Sequence, residues 1–180
     1  MECAIILCFD KNTEASFKSI IGSVAASGVS SHMVDAGIPP HITIAGFSTD
    51  RIEAIIERLD ARISCFKAGT ILWPSLGVFV PRVLFAAPVL DEYLLHACID
   101  ANRLIEPFST VGDNGFYLPY HWVPHTTLAT HLDHDGLKQA FAVASRQFTF
   151  ISGKSNRLVL VDCSPCHTRY REIRTWEVSP

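Results

Sequence analysis

His41-Ile42-Thr43-Ile44 and His125-Thr126-Thr127-Leu128 repeat one pattern, histidine, any residue, threonine, aliphatic residue, within a chain of 180 residues. Proline leads into both copies, Pro39-Pro40 into the first and Pro124 into the second, and a following proline biases a residue toward extended backbone. On a β-strand, side chains at i and i+2 share a face about 6.5–7 Å apart. Each copy thus sets an imidazole beside a hydroxyl, with Ile44 or Leu128 behind them. Two such strands facing each other would make a compact phosphate site.

Outward from these strands, the chain reads as the same order of elements twice. Residues 3–9 form an apolar run suited to a buried strand, and Phe17, Ile20, Ile21, Val24 and Ala25 then recur at helical spacing behind an Asn12 cap. The motif strand His41–Phe47 follows. Next comes a helix with Ile52, Ile55, Ile56, Leu59 and Ile63 on one face, where Asp50 and Glu53 have capping-box spacing. Strands are expected around Gly69–Trp73 and Leu76–Val80. The order then restarts: a strand Val83–Ala87, a helix over residues 91–105, an irregular stretch, the second motif strand through Thr130, and a helix with Leu137, Ala140, Phe141 and Ala144. Leu158–Val161 and Tyr170–Val178 read as a hairpin. His41 precedes Ile52 by 11 positions and His125 precedes Leu137 by 12, so the spacing repeats as well. The expectation is one α+β domain over residues 1–180. It would have two pseudo-symmetric lobes, repeats 1–80 and 83–180, each a mainly antiparallel sheet with helices outside, and a cleft between them.

Composition narrows the partners. With 48% hydrophobic residues the chain can fill a core, and a net charge of −3 offers polyanions no general attraction. Recognition of phosphate would therefore be local, favouring a small substrate or a strand end over long nonspecific contact with nucleic acid. No apolar run is long enough for a membrane helix, and Met1–Cys8 lacks the basic region of a signal peptide. A cytoplasmic location, no membrane partner and no obligatory protein partner are the expectations. Cys3, Cys8, Cys65, Cys98, Cys163 and Cys166 sit mostly in apolar patterns and are expected to be reduced.

Paired histidines titrate near neutral pH, so one imidazole can act as base while the other acts as acid. Phosphoester cleavage uses both, with Thr43 and Thr127 donating to non-bridging oxygens and no metal or cofactor required. A single histidine in a strand is ordinarily packed or solvated. The duplication in matching contexts is what points to function.

On these motifs and the duplicated order, nearly the whole chain resembles the two-histidine (2H) phosphoesterase superfamily, in particular its 2′-5′ RNA ligase and RNA 2′,3′-cyclic phosphodiesterase members. The resemblance implies a bilobal, metal-independent phosphodiesterase acting on a 2′,3′-cyclic phosphate or 2′-5′ linkage of a nucleotide or RNA end. It makes His41 and His125 catalytic and Thr43 and Thr127 phosphate-binding. Thr126 departs from the family's frequently apolar middle position, but its side chain would point away from the site. Tyr120 and Trp122, just ahead of the second motif, are the expected stacking surfaces for a base.

Other signals compete. His121, His125, His131, Asp133, His134 and Asp135 are dense in metal-ligand types, which would suit a metal-dependent hydrolase, but Pro124 breaks the helix that His121 and His125 would need to share a face. Cys163-Ser164-Pro165-Cys166-His167 matches a haem-attachment or thiol-pair pattern, yet falls where the hairpin must turn. Lys154, Arg157, Arg169, Arg171 and Arg174 make the last hairpin basic, either as a protected edge or as an anion-steering rim. A cleft that captures a nucleotide phosphate without turning it over is the remaining alternative. Lysine or arginine would serve that task better than duplicated histidine.

Overall fold

The computed structural model describes residues 1–164 and 168–180. In chain order the elements are β1 (Glu2–Phe9), α1 (Lys11–Ala26), the single turn α2 (His32–Asp35), β2 (His41–Ser48), α3 (Ile52–Arg62), β3 (Gly69–Trp73), β4 (Ser75–Phe79), β5 (Val83–Ala87), α4 (Glu92–Ile105), β6 (Thr110–Val111), β7 (Thr126–Ala129), α5 (His134–Ser145), β8 (Ile151–Asp162) and β9 (Glu172–Glu177). Two antiparallel sheets result. The larger has the order β3-β8-β1-β2-β6 with β9 also on β8, and the smaller has the order β4-β5-β7. This is an α+β fold of two lobes.

Strand pairing crosses the midpoint of the chain. In each sheet a motif strand lies beside the first strand of its own half, β2 on β1 and β7 on β5. The other edge of that first strand is taken by a strand from the opposite half, β8 on β1 and β4 on β5. The helices follow suit: α3 packs with α4 near β2, and α1 packs with α5 near β5 and β7. The lobes are laced together by this exchange, and a single apolar cluster runs through both.

β1 shows how the cleft acquires its floor. Its alternating residues Cys3, Ile5, Leu7 and Phe9 enter the main core. Ala4, Ile6 and Cys8 point to the opposite face, where they meet Val159, Val161 and Tyr170. Both faces are covered, which is why the run lacks polar alternation. At the centre of the core Trp73 packs edge-on against Phe9 and Phe17, ring centroids 5.1 and 5.0 Å away. Its Nε1 donates to Thr126 Oγ1 at 3.2 Å, so the fully buried polar atoms of a β3 residue and a β7 residue satisfy each other.

Several local expectations change. Helix α1 is capped by Asp10, whose Oδ1 accepts from Thr13 N at 2.8 Å, and Asn12 lies inside the first turn. The Asp50–Glu53 capping box does not form. Thr49 Oγ1 accepts from Arg51 N at 2.9 Å instead and donates to Phe108 O at 2.7 Å. Phe141 is exposed on the outer face of α5. The final hairpin is far longer on its first arm than expected, because β8 begins at Ile151 and pairs with β3 before it reaches β9. Among the described residues no helix is long and apolar enough to cross a membrane.

Candidate active site

The two motifs deliver their side chains as the two-residue period requires. His41 and Thr43 are half-buried while Ile42 and Ile44 are fully buried, and His125 and Thr127 are half-buried while Thr126 and Leu128 are buried. His41 opens β2, and His125 immediately precedes β7. Both rings line one cavity of about 810 Å³, together with Thr127. A smaller cavity of about 300 Å³ adjoins it, sharing His32, Ile38 and His41, and is lined by Thr43. The structure thus brings His41, His125 and Thr127 to one cavity, and Thr43 to the neighbouring cavity that shares His41.

Both imidazoles are anchored in the same way. His41 Nδ1 lies 2.7 Å from the carbonyl of Pro39, and His125 Nδ1 lies 2.8 Å from the carbonyl of Val123. A carbonyl oxygen can only accept, so Nδ1 carries the proton in each ring. Each neutral ring therefore keeps the lone pair on Nε2, which has no hydrogen-bond partner among the described residues. Burial lowers the pKa of His41, with the bond to Pro39 opposing and the charge of His125 lowering it further. Burial also lowers that of His125, opposed by the bond to Val123. Both shifts favour the neutral ring in the free protein.

Rings that the motif search did not single out surround His125. Phe79 stands perpendicular to it at 5.0 Å, Phe85 lies at 5.4 Å, and Tyr117 lies nearly parallel at 6.4 Å. Their π faces favour a cation nearby. On the His41 side, the rings of His32 and His131 meet at 4.2 Å, with His131 in a left-handed conformation at φ 60°. None of these residues belongs to a periodic pattern. The sole signal for Phe79 and Phe85 was their place in two expected strands, of which only β5 pairs with β7.

The two aromatics expected to stack on a base lie elsewhere. Trp122 is 6% exposed and its Nε1 has no partner among the described residues. Tyr120 is 81% exposed with φ 67°, and borders a separate groove beside Phe47 and Ile105. Neither lines the cavity between the histidines. The wall there is built by Phe79, Phe116 and Tyr117.

In the ligand-rich segment 121–135, His121 and His125 line the cavity while the two aspartates are employed structurally. Asp133 caps α5 by accepting from Gly136 N at 2.7 Å, and Asp135 pairs with Lys138 at 2.9 Å. Among the described residues no three His, Cys, Asp or Glu side chains converge as metal donors. Cys3, Cys8, Cys65, Cys98 and Cys163 are free thiols, while Cys166 and His167 of the C-x-x-C-H pattern lie outside the described residues. Of the basic hairpin, Arg157 pairs with Glu14 at 3.1 Å, Arg174 with Asp60 at 3.3 Å and Arg171 with Asp162 at 3.5 Å. Arg169 borders the smaller cavity beside Thr43.

Comparison with known proteins finds the same fold in solved structures. The fold matches the crystal structure of TT0787 of Thermus thermophilus, with 16% identity, a TM-score of 0.62, and 99% of this chain and 98% of that chain covered. It also matches E. coli LigT in its apo form, at 13% identity, a TM-score of 0.61 and the same coverages of 99% and 98%. For E. coli LigT complexed with ATP the values are 16% and 0.52, again over 99% and 98% of the two chains. At such identities the likeness is one of fold. No curated protein sequence matches. The model of the 2′-5′ RNA ligase superfamily matches residues 29–164, a span holding both histidine motifs. The chain therefore belongs to the 2′-5′ RNA ligase superfamily, a membership that carries phosphoesterase-type chemistry.

Proposed function

We propose that this protein opens, or in reverse forms, a 2′,3′-cyclic phosphate or a 2′-5′ phosphodiester of a nucleotide or RNA end by general acid–base catalysis from His41 and His125. The observation that carries the reading is the shared anchor: two rings at one cavity, each with its Nδ1 proton on a carbonyl two residues upstream and its Nε2 free. Nucleotide ligands suit the family, since E. coli LigT has been crystallised with ATP and with 3′-AMP.

In the hydrolytic direction Nε2 of His41 takes a proton from water as the water oxygen bonds to phosphorus. Nε2 of His125 gives its proton to the departing ribose oxygen as that P–O bond breaks. The hydroxyls of Thr43 and Thr127 donate to the non-bridging oxygens, where charge builds in the transition state. His41 is the acceptor because burial and the neighbouring charge of His125 keep it neutral. His125 is the donor because a bound phosphate anion raises its pKa against the lowering by burial and so favours the imidazolium form in the complex. The two imidazoles supply both proton transfers, so the reaction as written needs no metal.

Incubation with 2′,3′-cyclic nucleotides and 2′-5′-linked dinucleotides tests this directly. Monoester or nucleoside should be released by the wild-type protein with and without chelator. Unchanged turnover in both His41→Ala and His125→Ala would reject the assignment, and so would binding of every substrate without release of product.

A further inference from the structure

Three arginines gather between the two helices that pack near β2. Arg58 and Arg62 stand one turn apart on α3, Arg103 joins them from α4, and together with Asp100 they line a cavity of about 180 Å³. Like charges at that spacing on a helix repel, so such a cluster is ordinarily relieved by carboxylates. Among the described residues no ion pair forms to any of these three guanidinium groups. Helix ends explain part of the arrangement, because Arg62 and Arg103 lie in the last turns of their helices, where a cation is favoured. Arg58 lies a turn earlier and has no such reason. In a chain of net charge −3 the cavity thus gathers three positive charges against the one negative charge of Asp100. Guanidinium groups set together in this way suit the oxygens of phosphate.

A track leads from this cavity toward the histidines. Arg103 also lines a groove of about 420 Å³, with Gly46 and Phe47 of β2 and with Leu118, Pro119 and Tyr120. The segment 116–121 parts that groove from the catalytic cavity: Phe116, Tyr117 and His121 line the cavity, and the three residues between them line the groove. Two successive turns shape the partition, Leu118 N donating to Gly115 O and His121 N to Leu118 O, each at 3.1 Å. Asn102, the neighbour of Arg103 on α4, holds the Tyr117 carbonyl at 3.1 Å. Each side of the partition shows an aromatic ring to solvent, Phe116 at 65% exposure on the cavity side and Tyr120, more exposed still, on the groove side. Tyr120 takes a left-handed backbone at φ 67°, a conformation that a bulky residue rarely adopts. Core packing accounts for neither ring. Gly46 stands five residues along β2 from His41, roughly 16 Å at the rise of a strand, so the arginines lie beyond a mononucleotide held between the imidazoles.

We propose that the substrate is the end of a single-stranded RNA whose tail leaves the catalytic cavity over Phe116 and Tyr120, stacking bases on them, and lays its backbone phosphates against Arg103, Arg58 and Arg62. For a terminal 2′,3′-cyclic phosphate this tail is the 5′ side of the strand, because the ring closes on the last ribose. Aromatic platforms beside a basic groove hold single strands without reading their sequence. The overall charge offers nucleic acid no long-range attraction, and three guanidinium groups free of carboxylate partners supply it locally. This inference rests on the paired-histidine reading and deepens it: the cleft carries the chemistry, and the arginine track selects a strand over a mononucleotide.

The test measures binding to the full chain, across a salt series, of a labelled single-stranded oligoribonucleotide of about ten residues with a terminal 3′-phosphate, and of the matching 3′-mononucleotide. At low salt the oligonucleotide should bind on the order of a hundredfold more tightly, with log affinity falling against log salt by about 2 more, the share of three phosphates on a single strand. Arg58→Gln, Arg62→Gln and Arg103→Gln combined should erase that extra slope and cost the oligonucleotide on the order of tenfold, leaving mononucleotide affinity and turnover of a 2′,3′-cyclic mononucleotide at the wild-type level. Arg103→Gln alone should remove about a third of the slope. Tyr120→Ala should weaken the oligonucleotide at least about fivefold, the low end for one stacked base, without changing the slope. Equal affinities for the two ligands, an undiminished slope in the triple variant, or equally tight binding of an acidic peptide of the same charge would overturn the track and leave the paired histidines untouched. Arginine-dependent oligonucleotide binding in a protein that turns over no cyclic phosphate would uphold the track and refute the paired-histidine chemistry instead.

Discussion

His41 opens an eight-residue strand inside the larger sheet, whereas His125 stands just ahead of a four-residue strand at the edge of the smaller one. The first is reached through a short turn from α2. The second follows an irregular segment in which Asp113, Asn114 and Tyr120 all adopt positive φ. Around His125 stand three aromatic rings, while His41 adjoins the smaller cavity with His32 and Ile38. Yet each ring is held by the carbonyl two residues upstream. The tautomer is thus fixed by a local device that any histidine after such a turn can reproduce. Burial lowers the proton affinity of both, and the charge of His125 lowers that of His41 further. A duplicated motif can in this way yield a base and an acid from the same side chain.

The largest expected effect removes either partner. His41→Ala and His125→Ala should each lower kcat on the order of 10²–10⁴-fold, and the double variant should lose little more than either one because the pair acts as a unit. Initial rates, with circular dichroism to confirm the fold, decide this. Strictly multiplicative losses would mean that the rings work independently.

pH separates the two roles. Both imidazoles take protons less readily than an ordinary imidazole at 6.5, chiefly because of burial. The kcat/KM profile reports the free enzyme. As pH rises through the lowered pKa of His125 the acid form is lost, so the optimum of kcat/KM should lie below about 6.5. The kcat profile reports the complex, where the phosphate charge raises both pKa values, and its alkaline limb should lie at higher pH. Coincident profiles would show that phosphate does not sit between the rings.

Legibility divides along the same line between local and distant. The motif strands, β1, β5 and the helical faces could be read because period and burial agree there. The first half of β8 could not, since Gly153 and Ser155 fill its inward positions. A Cβ at residue 153 would come within 2.3 Å of Thr13 Oγ1, so the strand must be small where it meets α1 and shows no hydrophobic alternation. The exchange of β4 and β8 between halves was equally hidden, because pairing partners far apart in sequence leave no local trace. In the site, the motif positions were legible from spacing alone. The aromatic wall was not: the nearest aromatics in sequence, Tyr120 and Trp122, turn outward and into the core, while Phe79, Phe85 and Tyr117 reach His125 from other elements.

A smaller effect compares the hydroxyls. Thr43→Val and Thr127→Val each keep a β-branched shape and remove one donor to a charged oxygen, which costs about 1.5–3 kcal/mol. Each should lower kcat/KM roughly ten- to a hundred-fold. Because Thr43 and Thr127 line different cavities, their losses should differ between substrates that extend to one side or the other. Identical losses on mononucleotide and dinucleotide substrates would argue that only one cavity is used.

The smallest effect lies at the middle position of each motif, and it concerns stability alone. Ile42 and Thr126 are both fully buried and both face away from the cavity, but Thr126 accepts from Trp73 Nε1. Thr126→Val conserves the shape and strands that indole donor, at a cost of about 1–3 kcal/mol. Thermal melting should fall by a few degrees while kcat/KM stays within about twofold. The buried Ile42 shows that the corresponding place in the first motif accommodates a purely apolar side chain. A loss in Thr126→Val therefore reports the stranded nitrogen of Trp73, and an unchanged melting temperature would mean that this nitrogen is satisfied by another group.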